Sequence, residues 1–92
     1  MTDAIRRKLD IINVKGLHAR ASAKFVETVE DHDATATAYK DGLSAAGDSI
    51  MGLLMLAASQ GTTIEVETSG SEAEKLMDAL AALVADKFGE GM

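Results

Sequence analysis

The chain has 92 residues, a net charge of −6 at pH 7, no cysteine, no proline and only three aromatic residues. A chain of this length folds as one domain, so we assign residues 1–92 to a single domain. The lack of cysteine excludes disulfides, thiolate metal sites and a thiol nucleophile. A net negative charge repels nucleic acid and anionic membranes, and few aromatic rings are present on which bases could stack. We therefore expect neither as a partner. No apolar run approaches a membrane span or a signal peptide, so we expect a cytoplasmic monomer without metal or cofactor.

The first half of the chain predicts a strand, a helix and a hairpin. Apolar and charged residues alternate within residues 7–14, which indicates a strand. Apolar residues then recur at helical spacing over residues 17–30, which indicates an amphipathic helix. Alternating Ala and Thr over residues 34–39, an Asp-Gly turn at residues 41–42 and a return strand over residues 43–46 predict the hairpin.

The second half predicts a helix, a strand and a longer helix. Residues 49–58 are apolar almost all round, as in a short helix, and residues 62–68 alternate as a half-buried strand does. Ser71 and Glu74 have the spacing of a capping box. We expect them to begin a helix whose apolar stripe extends to Phe88.

The predicted order is therefore β-α-β-β-α-β-α. Short strands with one apolar face favour a four-stranded antiparallel sheet with three helices on one side, an α+β two-layer open-faced sandwich. In its last strand we expect Ile64 and Val66 to face the core and Glu65 and Glu67 to face solvent.

The segment between the first strand and the first helix carries the chemistry. A histidine such as His18 is partly neutral near pH 7 and is then nucleophilic. The first turn of a helix offers unpaired N–H groups that bind anions, and the Arg20 guanidinium can bind phosphate oxygens. A lone histidine at a helix start is nevertheless more often a solvated or capping residue, so these features alone leave both interpretations open.

Two motifs resemble those of the HPr family, the histidine phosphocarriers of the bacterial phosphotransferase system. Residues 16–26 read G-L-H-A-R-A-S-A-K-F-V, and the family's active-site segment usually reads G-[IL]-H-[AT]-R-P-A. Residues 48–56 read D-S-I-M-G-L-L-M-L and resemble the family's regulatory-serine helix, often K-S-I-M-G-V-M-S-L. The spacing of the motifs and the element order also agree, so the resemblance covers essentially the whole chain.

The resemblance implies a carrier with a transient phosphohistidine rather than an enzyme. His18 would be phosphorylated on Nδ1 by enzyme I, and an Enzyme IIA-type protein would receive the phosphoryl group. Arg20 and the backbone amides of Ala19 and Ala21 would bind that group. Ser49 would be the regulatory site of HPr kinase/phosphorylase in branches that have this control. Sugar-transport and nitrogen-regulatory branches share these motifs.

The chain departs from the family pattern at two positions. Ala21 replaces the usual proline after the arginine, so we expect a less rigid helix start with the chemistry retained. Asp48 replaces the lysine before Ser49, and its charge would repel a second anion there. We therefore expect weaker recognition of Ser49 by a kinase.

The apolar helix over residues 49–58 cannot bury every face in so small a domain. Leu53, Leu56 and Ala57 would face the core. An exposed patch of Met and Leu usually marks a docking site; the predicted docking residues are Leu17, Met51, Leu54, Met55 and Ala58. The competing interpretation is that the terminal helix simply buries this patch.

Three further groups have plain structural interpretations. His32 lies between carboxylates, and we interpret it as a solvated helix end rather than a metal site. We interpret Glu65 and Glu67 as an exposed sheet face rather than a catalytic acid pair. Lys24 either adds positive potential near His18 or is an ordinary surface lysine.

Two other functions remain open from the sequence. The first is a regulatory module that acts mainly by docking, with phosphorylation as its signal. The second is a small-ligand sensor domain of the ferredoxin-like type.

Overall fold

The computed structural model describes residues 4–91. Its elements in chain order are β1 (Ile5–Asp10), α1 (Ala19–Glu30), β2 (Thr35–Lys40), β3 (Leu43–Ala46), α2 (Ile50–Met55), β4 (Thr63–Ser69), α3 (Ala73–Ala85) and a 3₁₀ turn, Lys87–Gly89. The strands form one antiparallel sheet in the order β1-β4-β2-β3. The predicted element order and the α+β open-faced sandwich are confirmed. Within this part of the chain, no helix is long and apolar enough to cross a membrane.

The alternation predicted for β4 is confirmed and fixes which face of the sheet is covered. Ile64 and Val66 are fully buried, and Thr68 follows them on the same face, where its hydroxyl donates to the Ala73 carbonyl at 2.8 Å. Helix α3 packs over β1 and β4, and α1 packs against α2 and α3. The helices therefore share one core beneath one face of the sheet.

The opposite sheet face carries a charged cluster. Arg6 forms ion pairs with Glu65 at 2.7 Å and with Glu67 at 3.1 Å. Its guanidinium carbon lies 4.8 Å from the centroid of the Tyr39 ring, and the Tyr39 hydroxyl donates to Glu67 at 3.2 Å. The two glutamates are thus paired with a cation, which is the structural interpretation that the sequence favoured over a catalytic acid pair.

The first strand and first helix are shorter than predicted. Strand β1 ends at Asp10 rather than residue 14, because the chain turns after Ile11 and the Gly16 N–H donates to the Asn13 carbonyl at 3.1 Å. Helix α1 begins at Ala19 rather than residue 17. His18 precedes it as the N-cap in extended backbone, with φ −78° and ψ −175°.

Helix α2 ends at Met55, well before the predicted residue 58. Leu56 caps it, and Ala57 then adopts a left-handed conformation with φ 52°. Leu53 and Leu56 are buried as predicted, but the assignment of Ala57 to the core was wrong. The reversal of the chain at Ala57 turns its side chain outward.

The predicted capping box at the start of α3 was also wrong. The N-cap is Glu72, and its side chain makes no capping bond. Glu72 instead accepts from the Asp33 N–H at 2.7 Å, and the Ser71 hydroxyl donates to the Asp33 carbonyl at 3.1 Å. These side chains tie the start of α3 to the loop before β2, and their bonds to Asp33 take the place of the predicted capping bonds.

The left-handed Ala57 gives a test of stability. A left-handed residue with a Cβ costs about 1 kcal/mol relative to glycine. We expect Ala57→Gly to raise the free energy of unfolding by about 0.5–1 kcal/mol, and Tm by about 3–6 °C, in denaturant and thermal unfolding. The control is Ala82→Gly on the exposed face of α3, which should lower stability by about 0.5–1 kcal/mol. A loss of stability in both variants would contradict the strain at Ala57.

Candidate functional site

The loop before α1 lies directly against the end of α2. The Leu17 N–H donates to the Ala58 carbonyl at 2.8 Å. Gly16, with φ +65°, passes so close that a Cβ there would lie 2.4 Å from the same oxygen. A glycine is therefore required at this position, and the contact brings the two sequence motifs together.

His18 is held at the start of α1 by its backbone and by one ring nitrogen. Its carbonyl accepts from the Ser22 N–H at 2.8 Å, which begins the helix. Its Nε2 contacts Oε2 of Glu90, 72 residues away in the chain. The His18 side chain is 25% exposed, and Nδ1 has no hydrogen-bond partner among residues 4–91. Nδ1 is thus the ring nitrogen that remains available to an incoming group.

Glu90 is held on its other oxygen by a buried amide. Asn13 Nδ2 donates to Glu90 Oε1 at 2.9 Å and to the Gly16 carbonyl at 2.8 Å. The hydrogen bond from Asn13 is the largest cause that lowers the pKa of Glu90, and the contact with His18 lowers it further against the opposing effect of burial. Glu90 therefore faces His18 as a carboxylate.

The C-terminal turn, Lys87–Gly89, positions Glu90. Phe88 is fully buried in the core, and its carbonyl accepts from Lys24 Nζ at 2.6 Å. Lys24 is half-buried and its ammonium group anchors the turn, so it is not a plain surface lysine; that it adds positive potential near His18 stays a prediction.

The exposed start of α1 supplies the groups that would bind an anion. Ala19 and Arg20 are exposed, and Arg20 forms no salt bridge within the described residues. The side chain of Ala21 is buried, which leaves its backbone amide in the first turn, where amides lack acceptors within the helix. An open depression of about 230 Å³ adjoins His18 and is lined by Lys15, Leu17, His18, Ala57, Ala58 and Ser59.

The predicted docking residues divide into an exposed and a buried group. Met51 and Met55 are 70% and 74% exposed, and Leu54 is half-buried. Leu17 and Ala58 are only 5% and 3% exposed, so their assignment to an exposed docking surface was wrong. They are buried because the backbone contact between them presses the loop onto the end of α2. We call Met51, Leu54 and Met55 the α2 patch.

Ser49 is the N-cap of α2. Its hydroxyl oxygen accepts from the Gly52 N–H at 3.0 Å, and its side chain is half-buried. Asp48 beside it is exposed, and the helix provides no acidic residue of its own in the first turn. The serine therefore has a structural role in beginning α2.

His32 is bound to the last turn of α1, which ends at Glu30. Its Nδ1 lies 2.7 Å from the Thr28 carbonyl oxygen. Across residues 4–91, no group of three or more histidine or acidic side chains is arranged to hold a metal ion.

Sequence reasoning missed three residues of this site. Lys15 lines the depression beside His18 and contributes to the lowered pKa of Glu90. Asn13 and Glu90 contact each other across 77 positions of the chain. Asn13 could have been found from the sequence, because its amide lies three residues before the glycine that the loop requires. No periodicity in the sequence connects Glu90 with that loop.

Comparisons with known proteins agree with this arrangement. The family model described as the PTS HPr component phosphorylation site matches residues 5–86. The chain is 45% identical over 87 residues to phosphocarrier protein HPr of Neisseria meningitidis serogroup A, covering 95% of this chain and 98% of that protein. It is 38% identical over 86 residues to phosphocarrier protein NPr of Shewanella violacea, covering 94% of each.

Solved structures show the same fold. The crystal structure of HPr from Thermoanaerobacter tengcongensis superposes with a TM-score of 0.90 at 34% identity, covering 96% of this chain and 99% of that one. HPr from Bacillus anthracis gives a TM-score of 0.82 at 35% identity, covering 86% and 94%. The family match, the relatives and the fold together show that the chain belongs to the HPr family of phosphocarrier proteins of the phosphotransferase system.

Proposed function

We propose that His18 accepts a phosphoryl group on Nδ1 from phosphorylated enzyme I and passes it to an Enzyme IIA-type protein. The observation that carries this proposal is the state of the two ring nitrogens. Nε2 contacts the Glu90 carboxylate, whereas Nδ1 has no partner within residues 4–91. The protein would act in the cytoplasm as a monomer that meets each partner in turn.

The chemistry needs positioning and electrostatics more than covalent machinery. The exposed Arg20 guanidinium and the first-turn amides of Ala19 and Ala21 would bind the phosphoryl oxygens. A helix terminus contributes only about 0.3–1 kcal/mol to anion binding at an exposed site. Such a weak hold suits a carrier, because the group must leave again for the next partner.

The α2 patch would be the docking surface for both partners. It is joined to the His18 loop through the Leu17–Ala58 hydrogen bond, so a protein seated on it also reaches His18. Exposed methionines adapt to differently shaped partners because their side chains are unbranched and flexible. One surface can therefore serve a donor and an acceptor of different structure.

Phosphorylation of Ser49 would regulate that docking. A phosphate adds a charge of about −1.5 to −2. At the start of α2 this charge is favourable for the helix itself, because it lies at the positive end of the helix dipole. It would nevertheless oppose docking, since the phosphate must be desolvated beside the apolar α2 patch and already has Asp48 as an acidic neighbour.

The first prediction concerns the phosphorylated residue. Incubation with enzyme I and phosphoenolpyruvate should place one acid-labile, base-stable phosphoryl group on the wild-type chain. His18→Ala should remove this label, and His32→Ala should retain it, because His32 is bound to Thr28 in the last turns of α1. A label that persists in His18→Ala would refute the assignment.

The second prediction concerns the α2 patch. Met51→Asp places a charge in an apolar interface, and we expect the KM for phosphorylated enzyme I to rise by about tenfold or more, the effect of losing about 1.4 kcal/mol or more of binding. The control is Leu43→Asp, which changes an exposed apolar side chain on β3 and should leave KM unchanged. Equal KM values for both variants and wild type would exclude the α2 patch as the docking surface.

The variants His18→Ala and Met51→Asp also distinguish a carrier from a regulatory module that acts mainly by docking. A carrier needs His18 for its cellular role, so His18→Ala should be as defective as Met51→Asp in a complementation assay. A docking module would need Met51 and would retain its main role in His18→Ala.

The third prediction separates the two roles of Ser49. Ser49→Ala removes the cap and should lower the free energy of unfolding by about 0.5–2 kcal/mol while leaving phosphoryl transfer intact. Ser49→Asp keeps a capping side chain and should retain most of that stability, but its charge should raise the KM for enzyme I. Unchanged transfer kinetics in Ser49→Asp would contradict regulation through charge at this position.

A further inference from the structure

We propose that Glu90 is a positioning residue for His18: its carboxylate holds the Nε2–H of the ring and so keeps the lone pair of Nδ1 free for the phosphoryl group. This inference rests on the proposed function, which assigns the group to Nδ1. It adds the residue that makes Nδ1, rather than Nε2, the nucleophile.

The contact selects one of the two neutral tautomers of the His18 ring. An ionised carboxylate accepts hydrogen bonds and cannot donate them. Asn13 Nδ2 donates to Glu90 Oε1, so Glu90 Oε2 is the oxygen that faces His18 Nε2. A neutral imidazole carries one proton, and the carboxylate selects the tautomer with that proton on Nε2.

The carboxylate is firmly held before any partner arrives. The Glu90 side chain is only 10% exposed, and Asn13 is fully buried. The C-terminal turn that precedes Glu90 is fixed by the buried ring of Phe88 and by the Lys24–Phe88 hydrogen bond. Little further conformational entropy is therefore lost when Glu90 orients the His18 ring.

The same contact matches the charges formed in the reaction. The Nδ1 lone pair attacks the phosphorus of the donor's phosphohistidine, and the electron pair of the breaking N–P bond returns to the donor ring. No proton leaves His18, so its ring becomes a phosphorylated imidazolium. The positive ring charge then lies beside the Glu90 carboxylate, while Lys15 and Arg20 are the cations near the site that can face the phosphoryl oxygens.

The substitution Glu90→Gln tests the tautomer directly. An amide has one accepting oxygen, and Asn13 presents its Nδ2 donor to it, in an orientation that its hydrogen bond to the Gly16 carbonyl also holds. The Gln oxygen should therefore turn to Asn13 and its NH2 group to His18 Nε2, which favours the tautomer with the proton on Nδ1. In ¹⁵N NMR of the ring at a pH where it is neutral, wild type should show a protonated Nε2, and Glu90→Gln should show an increased share of protonated Nδ1.

Two further variants keep the test specific. Glu90→Ala removes the contact without offering a donor, so its tautomer ratio should lie between those of wild type and Glu90→Gln. Asp86→Asn removes the same charge from an exposed position just before the C-terminal turn and should leave both ring nitrogens as in wild type. Ring nitrogen shifts in Glu90→Gln identical to those of wild type would overturn the proposal.

The rate of transfer is the second measurement. In serine proteases, an amide in place of the carboxylate that holds the histidine tautomer lowers kcat about 10⁴-fold. His18 is partly exposed and can escape the wrong tautomer, so we expect a smaller loss, about tenfold, in the single-turnover rate at saturating phosphorylated enzyme I, with KM little changed. A wild-type rate in Glu90→Gln would overturn the role of Glu90 in transfer. If the wild-type chain is not phosphorylated at all, the proposed function is refuted. The NMR result on the tautomer of His18 is independent of that outcome.

Discussion

The hydrogen bond from the Leu17 N–H to the Ala58 carbonyl is the contact on which the site depends. It joins the loop that carries His18 to the end of α2, and it forms only because Gly16 has no Cβ to strike the same oxygen. A methyl group at residue 16 would force the two segments apart. The His18 ring and the exposed methionines of α2 would then no longer share one rigid support, although each element could still form.

A second constraint lies in the turn Lys87–Gly89, where backbone strain opposes the stability gained by burying the Phe88 ring. Lys87 and Phe88 both have positive φ, at 56° and 54°, and each such residue costs about 1–2 kcal/mol. Full burial of a phenylalanine contributes about 1.5–3 kcal/mol, and the hydrogen bond from Lys24 adds to it. The terms nearly balance, so the turn adds little net stability of its own, while its path places Glu90 against His18.

Local patterns predicted the elements of this fold but not the contacts between them. The sequence predicted the alternation around Ile64 and the glycine-histidine junction, because each depends on residues that are neighbours in the chain. Leu17 and Ala58 were misassigned because their burial arises from each other, across the two motifs. Glu90 was missed for the same reason: only the left-handed turn after α3 returns it to the His18 ring. Resemblance to a family supplied the proposed role of His18 but none of these distant contacts.

The arrangement of charge around His18 would let an acidic protein carry a phosphoryl group there without binding it tightly. Cationic groups at the site are few and exposed, so water and salt screen their attraction for a phosphoryl group. Under the proposed function, Glu90 would act in the opposite sense, because its carboxylate would repel the phosphoryl oxygens while it stabilises the ring that bears them. A partner docked on the α2 patch would exclude water from the patch and from His18, and would so strengthen both the attraction by the cations and the repulsion by Glu90. The balance between these two opposed interactions would then set how readily the group leaves for an acceptor.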